Sequence, residues 1–481
     1  MNLTHRERFS ATATRALIDD GPVPIDGKPP ERTRYDLADF RATDLGNAEL
    51  LVRRHGGDLR YSHAWAKWLA WDGNRWATDD SGEVYRRAAA TVRELYSAAG
   101  SIPDDDRRKS IATHAVKCES KSRLDAMVGL AENQAEMVIR PADLDKDAML
   151  LNVENVTIDL RTGDLRPHDR SDFISKLAPV EYDAEAQCPQ WLKFLHRIFN
   201  DDAKLIGFVQ RAVGYSLTAK TGEQCLFLCH GKGANGKSTL LETILHLTGE
   251  YSTTTQTETV LLKRDGGIPN DLAALRGARF VSTIETEEGR RLAESKVKAM
   301  TGGDTMSARF MRGEFFQFEP QFKLWIGTNH KPRIKGQDTA TWRRIRLVPF
   351  GVTIPPADRD PELKDKLRAE LRGILRWAVM GCLDWQKRRL DPPDAVRTAT
   401  KEYRQYEDQL GRFLDEVCET GADKEVGAQR LYQAYKVWAT DCGERPLTAR
   451  AFSQRMQERG IEKQRLAAGM IYRGIQPCVG M

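Results

Sequence analysis

The 481-residue sequence has no Cys-x-x-Cys pair, the spacing a zinc ribbon needs. Its eight cysteines are scattered, and a reducing cytosol fits free thiols. No apolar run approaches the ~20 residues of a membrane span, and no signal peptide is recognisable at the N-terminus. The expectation is a soluble, intracellular chain. An excess of one charge is lacking too. Lys and Arg number 74 against 69 Asp and Glu, a net of +5, so binding of a polyanion has to come from local clustering. With 40% hydrophobic residues ordinary packed cores are possible, and the length suits about three domains.

What is present is concentrated between Cys225 and Leu247. Cys225–Cys229 is a short apolar run that suits one buried strand, where both thiols read as small hydrophobes. Gly231-Lys232-Gly233-Ala234-Asn235-Gly236-Lys237-Ser238 then fits G-x-x-x-x-G-K-[ST] at every fixed position. Leu240, Leu241, Ile244, Leu245 and Leu247 follow at helical spacing. A glycine-rich turn is the plain alternative, but strand, loop and helix together are the context the motif requires. The glycines let backbone N–H groups face a phosphate chain at the positive end of a helix. Residues 231, 233–237, Ser238 and Thr239 are therefore the expected ATP contacts. Lys237 is assigned to the β- and γ-phosphates and the Ser238 hydroxyl to Mg²⁺.

Further motifs follow in order. Phe280–Ile284 reads as a second short strand, ending on Glu285 with Glu287 and Glu288 behind it. Carboxylates at such a strand mouth manage Mg²⁺ and the attacking water. Ala293–Met300 reads as a helix, followed by Thr301-Gly302-Gly303-Asp304. Met306–Phe318 alternates around Arg312-Gly313-Glu314, a hairpin with Arg309 and Arg312 near its tip. Phe322–Gly327 is a third strand, and Asn329 beyond it could orient the hydrolytic water. Trp342-Arg343-Arg344-Ile345-Arg346 precedes the apolar Leu347–Phe350. Those arginines suit either a surface salt-bridge patch or an arginine finger for a neighbour's γ-phosphate.

The flanks carry less. Residues 1–42 read as a tail or linker, with Thr4–Ile18 as a short helix before two Pro/Gly breaks. Residues 43–200 read as one domain. Trp65, Trp68, Trp71 and Trp76 crowd its start around an Asp72-Gly73 hairpin turn, and a hydrophobic core is preferred for them over base stacking. Helices over about 83–99 and 104–128 and a strand over 151–160 are expected, with Arg161–Asp164 turning it back. Residues 356–408 read as a helical connector. Residues 409–481 show three helical patterns, about 409–419, 428–442 and 448–460, and a hairpin over 462–476, the order of a winged helix. Between Arg445 and Arg473 basic residues outnumber acidic ones, which suits phosphate contact by Arg450, Arg455 and Arg459; a solvated helical cap is the alternative.

The order of these motifs resembles that of superfamily 3 helicases. ETEEGRRLAESKVKAMTGGD, FKLWIGTNHKPRI and TWRRIRLVPF are similar to segments of the phage/plasmid primase–helicase family, related to the poxvirus primase–helicase. The resemblance covers about 60–476. It implies an α/β fold with an AAA+-like P-loop ATPase core over 201–355, a mixed α+β N-terminal domain and a C-terminal winged-helix-like domain. It further implies a homo-hexamer that moves on single-stranded DNA and unwinds forked DNA with ATP and Mg²⁺, alongside host or phage replication proteins. Carried over, Lys237 and Ser238 bind phosphate and metal, Glu285 and Glu287 share metal holding and water activation, and Asn329 is the polar sensor. Arg343 is the favoured finger, with Arg344 and Arg346 as neighbours, and the 306–318 hairpin is the DNA-contacting loop. About sixty residues precede the shared region, too few for a primase fold, so primase activity is not expected. A DNA-binding assembly or loading factor, whose ATP site changes the oligomer without unwinding, is the rival function.

Overall fold

The computed structural model describes residues 37, 39–262, 270–284, 289–309, 314–467 and 469–478. Its contacts divide the chain into two compact units: residues 1–70 with 78–141, and 71–77 with 142–481.

In the first unit, four helices surround a hairpin: α1 (Asp44–His55), α2 (Glu83–Ala99), α3 (Asp105–Cys118) and α4 (Lys121–Ala131), with β1 (Leu59–Ser62) antiparallel to β2 (Lys67–Trp71). α1 starts where Thr43 accepts a hydrogen bond from Gly46 N at 3.1 Å, satisfying one of the free first-turn donors. Ala48, Leu51, Leu59, Val84, Ala88 and Met127 form its core. The single helix expected over 104–128 is two, because the chain breaks at Glu119–Ser120.

The second unit opens with the expected turn. Asp72 Oδ1 accepts from Asn74 N and Arg75 N, both at 2.8 Å, and Gly73 takes φ +106°, which only glycine adopts without strain. β3 (Trp76–Thr78) follows. Trp76 is buried and its indole donates to Arg170 O at 2.8 Å. Trp68 is buried in the first unit, so these two tryptophans serve cores. Leu151–Leu160 is not the single strand expected. β4 (Leu150–Asn152) and β5 (Thr157–Asp159) pair antiparallel because Glu154-Asn155 makes a tight turn closed by Val153 N to Val156 O at 3.0 Å. β6 (Asp164–Arg166) adds a third strand after the expected turn at Gly163.

α5 (Pro189–Ile198) and α6 (Ala203–Leu217) lead to a five-stranded sheet. Its strands are β7 (Leu226–His230), β8 (Ser252–Thr254), β9 (Phe280–Ile284), β12 (Lys323–Thr328) and β13 (Ile345–Pro349), in the order β13-β7-β12-β9-β8. Every neighbouring pair is parallel. β7 and β12 are buried almost throughout, as strands covered on both faces must be. Crossovers are made by α7 (Lys237–Thr248) and α8 (Glu294–Gly302), and a hairpin, β10 (Met306–Arg309) with β11 (Phe315–Phe318), sits before β12.

After the sheet come α9 (Leu363–Ala369), α10 (Leu371–Arg388) and α11 (Asp394–Glu407). α6 and α10 pack backbone to backbone. A Cβ on Gly214 would lie 2.1 Å from Cys382 N, and one on Gly381 2.2 Å from Gln210 O. One core joins both helices to the sheet and to residues 149–199. Residues 142–200 thus pack in the same unit as the sheet.

The C-terminal segment runs α12 (Gln409–Val417), β14 (Cys418–Gly427), α13 (Ala428–Asp441), α14 (Ala449–Glu458), β15 (Lys463–Leu466) and β16 (Gly469–Pro477). The sheet order is β14-β16-β15, all antiparallel. The three helices and the hairpin match the sequence reading. β14 was not expected, because CETGADKEVG buries only Val426 and shows no alternation.

Candidate nucleotide-binding site

The loop after β7 turns because glycine stands where a side chain would collide. At Gly236, φ +83°, an added Cβ would meet Ile198 Cγ2 at 2.6 Å and the Phe194 ring at 2.9 Å; at Gly231 it would meet Asn235 Nδ2 and Phe350 O, both at 2.3 Å. Gly233 and Ala234 also have positive φ, +98° and +47°. The wall is fixed by Gly231 N to Thr328 O at 3.3 Å and Ile354 N to Ala234 O at 2.7 Å.

Lys237 opens α7 and is buried. Its ammonium donates to Gly231 O at 2.7 Å, Asn235 Oδ1 at 2.9 Å and Asn329 Oδ1 at 2.9 Å. Asn329 follows β12, whose last residue Thr328 is in register with His230 at the end of β7. Two parallel strands therefore bring P-loop and polar amide together at their carboxyl ends, where open α/β sheets bind ligands. Among the described residues no carboxylate pairs with Lys237, and burial lowers its pKa. A phosphate there would supply the missing negative charge, so the donor set fits a nucleotide polyphosphate. Ser238 is exposed and Thr239 half-buried beside it, which leaves the Ser238 hydroxyl open to a metal ion.

His230 was missed by the sequence reading, though it directly precedes the loop. Burial first, then the charges of Lys331 and Lys237, push its pKa down to about 4. The imidazole is thus neutral at pH 7, which avoids another positive charge beside Lys237.

Glu285 and Glu287 lie outside the described residues. β9 reaches Ile284, in register with Gly327, which in turn faces Cys229. The arginines before β13 separate. Arg344 is buried, its Nε donating to Thr301 Oγ1 at 3.1 Å and Nη1 to Ala340 O at 2.6 Å. Arg346 is half-buried and donates to Arg343 O. Arg343 is exposed, and its Nη2 donates to Gln224 Oε1 at 3.2 Å.

Of the expected DNA contacts, Arg312 lies outside the described residues. Arg309 is in register with Phe315 and lies 4.9 Å from the centroid of that exposed ring. Arg450 is exposed. Arg455 donates to Lys335 O, and Arg459 pairs with Asp408.

Residues 48–200 match the family model described as D5 N terminal like, and residues 229–344 match a family of unknown function. Residues 48–200 are thus similar to the N-terminal part of D5-type proteins. Among curated proteins, Putative helicase L207/L206 of Acanthamoeba polyphaga mimivirus is 26% identical over 74% of this chain and 39% of its own length. Putative helicase 022R of Frog virus 3 is 28% identical over 52% of this chain and 28% of its own. Putative primase C962R of African swine fever virus is 22% identical over 69% and 38%. The chain thus spans less than two fifths of each of these relatives. The apo C-terminal region of NrS-1 has a similar fold, with a TM-score of 0.50 and 11% identity over 91% of this chain and all of that one. The D5 N-terminal-like match ends at residue 200, whereas contacts divide the chain after residue 141. Among the described residues no helix is long and apolar enough to cross a membrane.

Proposed function

We propose that this chain is an ATP-dependent DNA helicase of the superfamily 3 kind, with an AAA+-like core and a winged-helix-like C-terminal module. The observation that carries this is the Lys237 ammonium, buried without a carboxylate among the described residues and tied to Asn329 across adjacent parallel strands. P-loop residues 231–239 cradle the phosphates, and Lys237 neutralises the β- and γ-oxygens. Asn329, freed when Lys237 turns to phosphate, orients the attacking water. Ser238 and Glu285 are the residues for Mg²⁺, which when bound offsets charge on the phosphate oxygens. Glu287 shares water activation with Glu285.

Arg343 is the arginine for a neighbouring subunit's γ-phosphate, because it is exposed while Arg344 is committed within its own subunit. Arg344 then positions the segment rather than touching substrate. The working form in this reading is a homo-hexameric ring. The Met306–Phe318 hairpin contacts single-stranded DNA, and the setting is replication of a phage, prophage or plasmid. Strand displacement from a forked duplex tests the reading. The wild-type chain separates the strands with ATP, and Lys237→Ala does not. ATP-dependent ring formation without displacement would favour the assembly or loading factor instead.

A further inference from the structure

The C-terminal segment holds its cations in two different ways. Arg412, Lys424 and Arg459 are paired with Glu444, Glu419 and Asp408, and Arg455 is spent on Lys335 O. Arg430, Arg450, Lys463, Arg465 and Arg473 are exposed and form no ion pair among the described residues. Two of these, Arg430 on α13 and Lys463 on β15, line one open cleft of about 780 Å³ between α13, α14 and the β15–β16 hairpin. Gln429, Gln433 and Tyr432 add polar groups to its wall. Cations outside any ion pair described, at a cleft whose wall mixes polar groups with Phe452, Met470 and Tyr472, suit a phosphate backbone. The hairpin beside the cleft is unlike an ordinary solvated turn. Leu466 and Met470 stand 39% and 44% exposed on it, next to Arg465, which is in register with Met470. Apolar side chains beside cations suit the minor groove of a duplex, where such residues wedge between base steps.

We propose that the C-terminal module binds duplex DNA through this cleft, with Arg430 and Lys463 on the phosphates and the β15–β16 hairpin tip toward the minor groove. Arg455 and Arg459, two of the sequence-based candidates, are instead spent on Lys335 O and Asp408, which tie the module to the chain before it. The proposal rests on the DNA-helicase reading for its ligand but not for its test. The preference for a duplex over a single strand follows from the hairpin tip.

The experiment uses the full chain without nucleotide and a fluorescent blunt duplex, with affinity measured across a salt series. Each lost phosphate contact lowers the slope of log K against log salt by about 0.9. Arg430→Ala/Lys463→Ala should lower it by about 1.8, and Arg430→Glu/Lys463→Glu should abolish binding. Neither change should alter the thermal midpoint, since both side chains are exposed and outside any ion pair described. Leu466→Ser/Met470→Ser should weaken duplex affinity severalfold at an unchanged slope and leave single-strand affinity alone. Arg455→Ala/Arg459→Ala should leave the slope as it is while lowering the thermal midpoint. An unchanged slope in the Arg430/Lys463 variant overturns the proposal, as a cleft built for a protein segment would give that result. So does an equal fall in the Arg455/Arg459 variant. ATP turnover on the same samples separates the two ideas: turnover with no slope change sinks only the cleft.

Discussion

Lys237 and Lys323 are buried at opposite ends of the same parallel sheet, and among the described residues both are held by amide and carbonyl oxygens rather than by carboxylates. Lys237 sits past the carboxyl ends of β7 and β12, on Gly231 O, Asn235 and Asn329. Lys323 is the first residue of β12, at the other end of that strand, 1% exposed. Its ammonium reaches Thr218 O, and Lys220 O and Gln321 O at 3.2 Å each, beneath the Tyr215 ring. Thr218 closes α6, so Lys323 places positive charge where that helix ends in free carbonyls, a favourable match to its dipole. Burial lowers both pKa values. The pair teaches that a buried lysine is not in itself a site. Lys237 holds two side-chain amide oxygens that can let go when phosphate arrives, whereas Lys323 holds only main-chain carbonyls that cannot move without the fold.

The largest effect that would break this contrast is on chemistry. Lys237→Ala should take ATP hydrolysis below detection while the thermal midpoint stays near the wild-type value. Hydrolysis at the wild-type rate would remove the P-loop assignment. Next comes the finger, where Arg343→Ala should bind ATP and hydrolyse it about 10³- to 10⁵-fold more slowly. Mixing it with Lys237→Ala should restore activity in part, because a Lys237 variant still offers Arg343 to an intact neighbouring P-loop. Mixed rings that form without any rescue would end the trans reading. Arg344→Ala should not be rescued in this way, because its hydrogen bonds to Thr301 and Ala340 are internal.

Lys323→Met should act on stability alone. Orphaned buried carbonyls cost about 1–3 kcal/mol each, and relief from burying an ammonium offsets part of that. A net loss of about 2 kcal/mol in denaturant unfolding is expected, with turnover per folded molecule unchanged.

The smallest effect concerns His230, whose folded pKa is about 4 against an ordinary 6.5. As pH falls, the unfolded chain takes up the proton first, so stability present above about 6.5 is lost toward about 4. His230→Gln should flatten that part of the stability profile, as read by unfolding at pH 7 and pH 5. An identical fall in the variant would move the titration to another group, such as His55, which burial also pushes down to about 4.

The P-loop could be read from sequence because its chemistry is local: one strand, one loop and one helix supply it within about twenty residues. The meeting of Lys237 with Asn329 could only be half read. Both residues were singled out, but their contact, across 92 positions, depends on β12 lying beside β7. Lys323 was invisible, since a lysine opening a strand looks like a solvated edge. The pairing of Arg459 with Asp408 spans 51 positions, which is why a count of basic residues took it for a DNA contact. β14 carries no apolar alternation to announce it, and the Glu154-Asn155 turn was overridden by the alternation on either side of it.

One measurement bears on the central claim most directly: ATP turnover per folded molecule for Lys237→Ala and Lys323→Met, side by side with wild type. The account predicts a folded, inactive Lys237 variant and a less stable Lys323 variant with wild-type turnover. A folded Lys323 variant that cannot hydrolyse ATP, or a Lys237 variant that can, would contradict it.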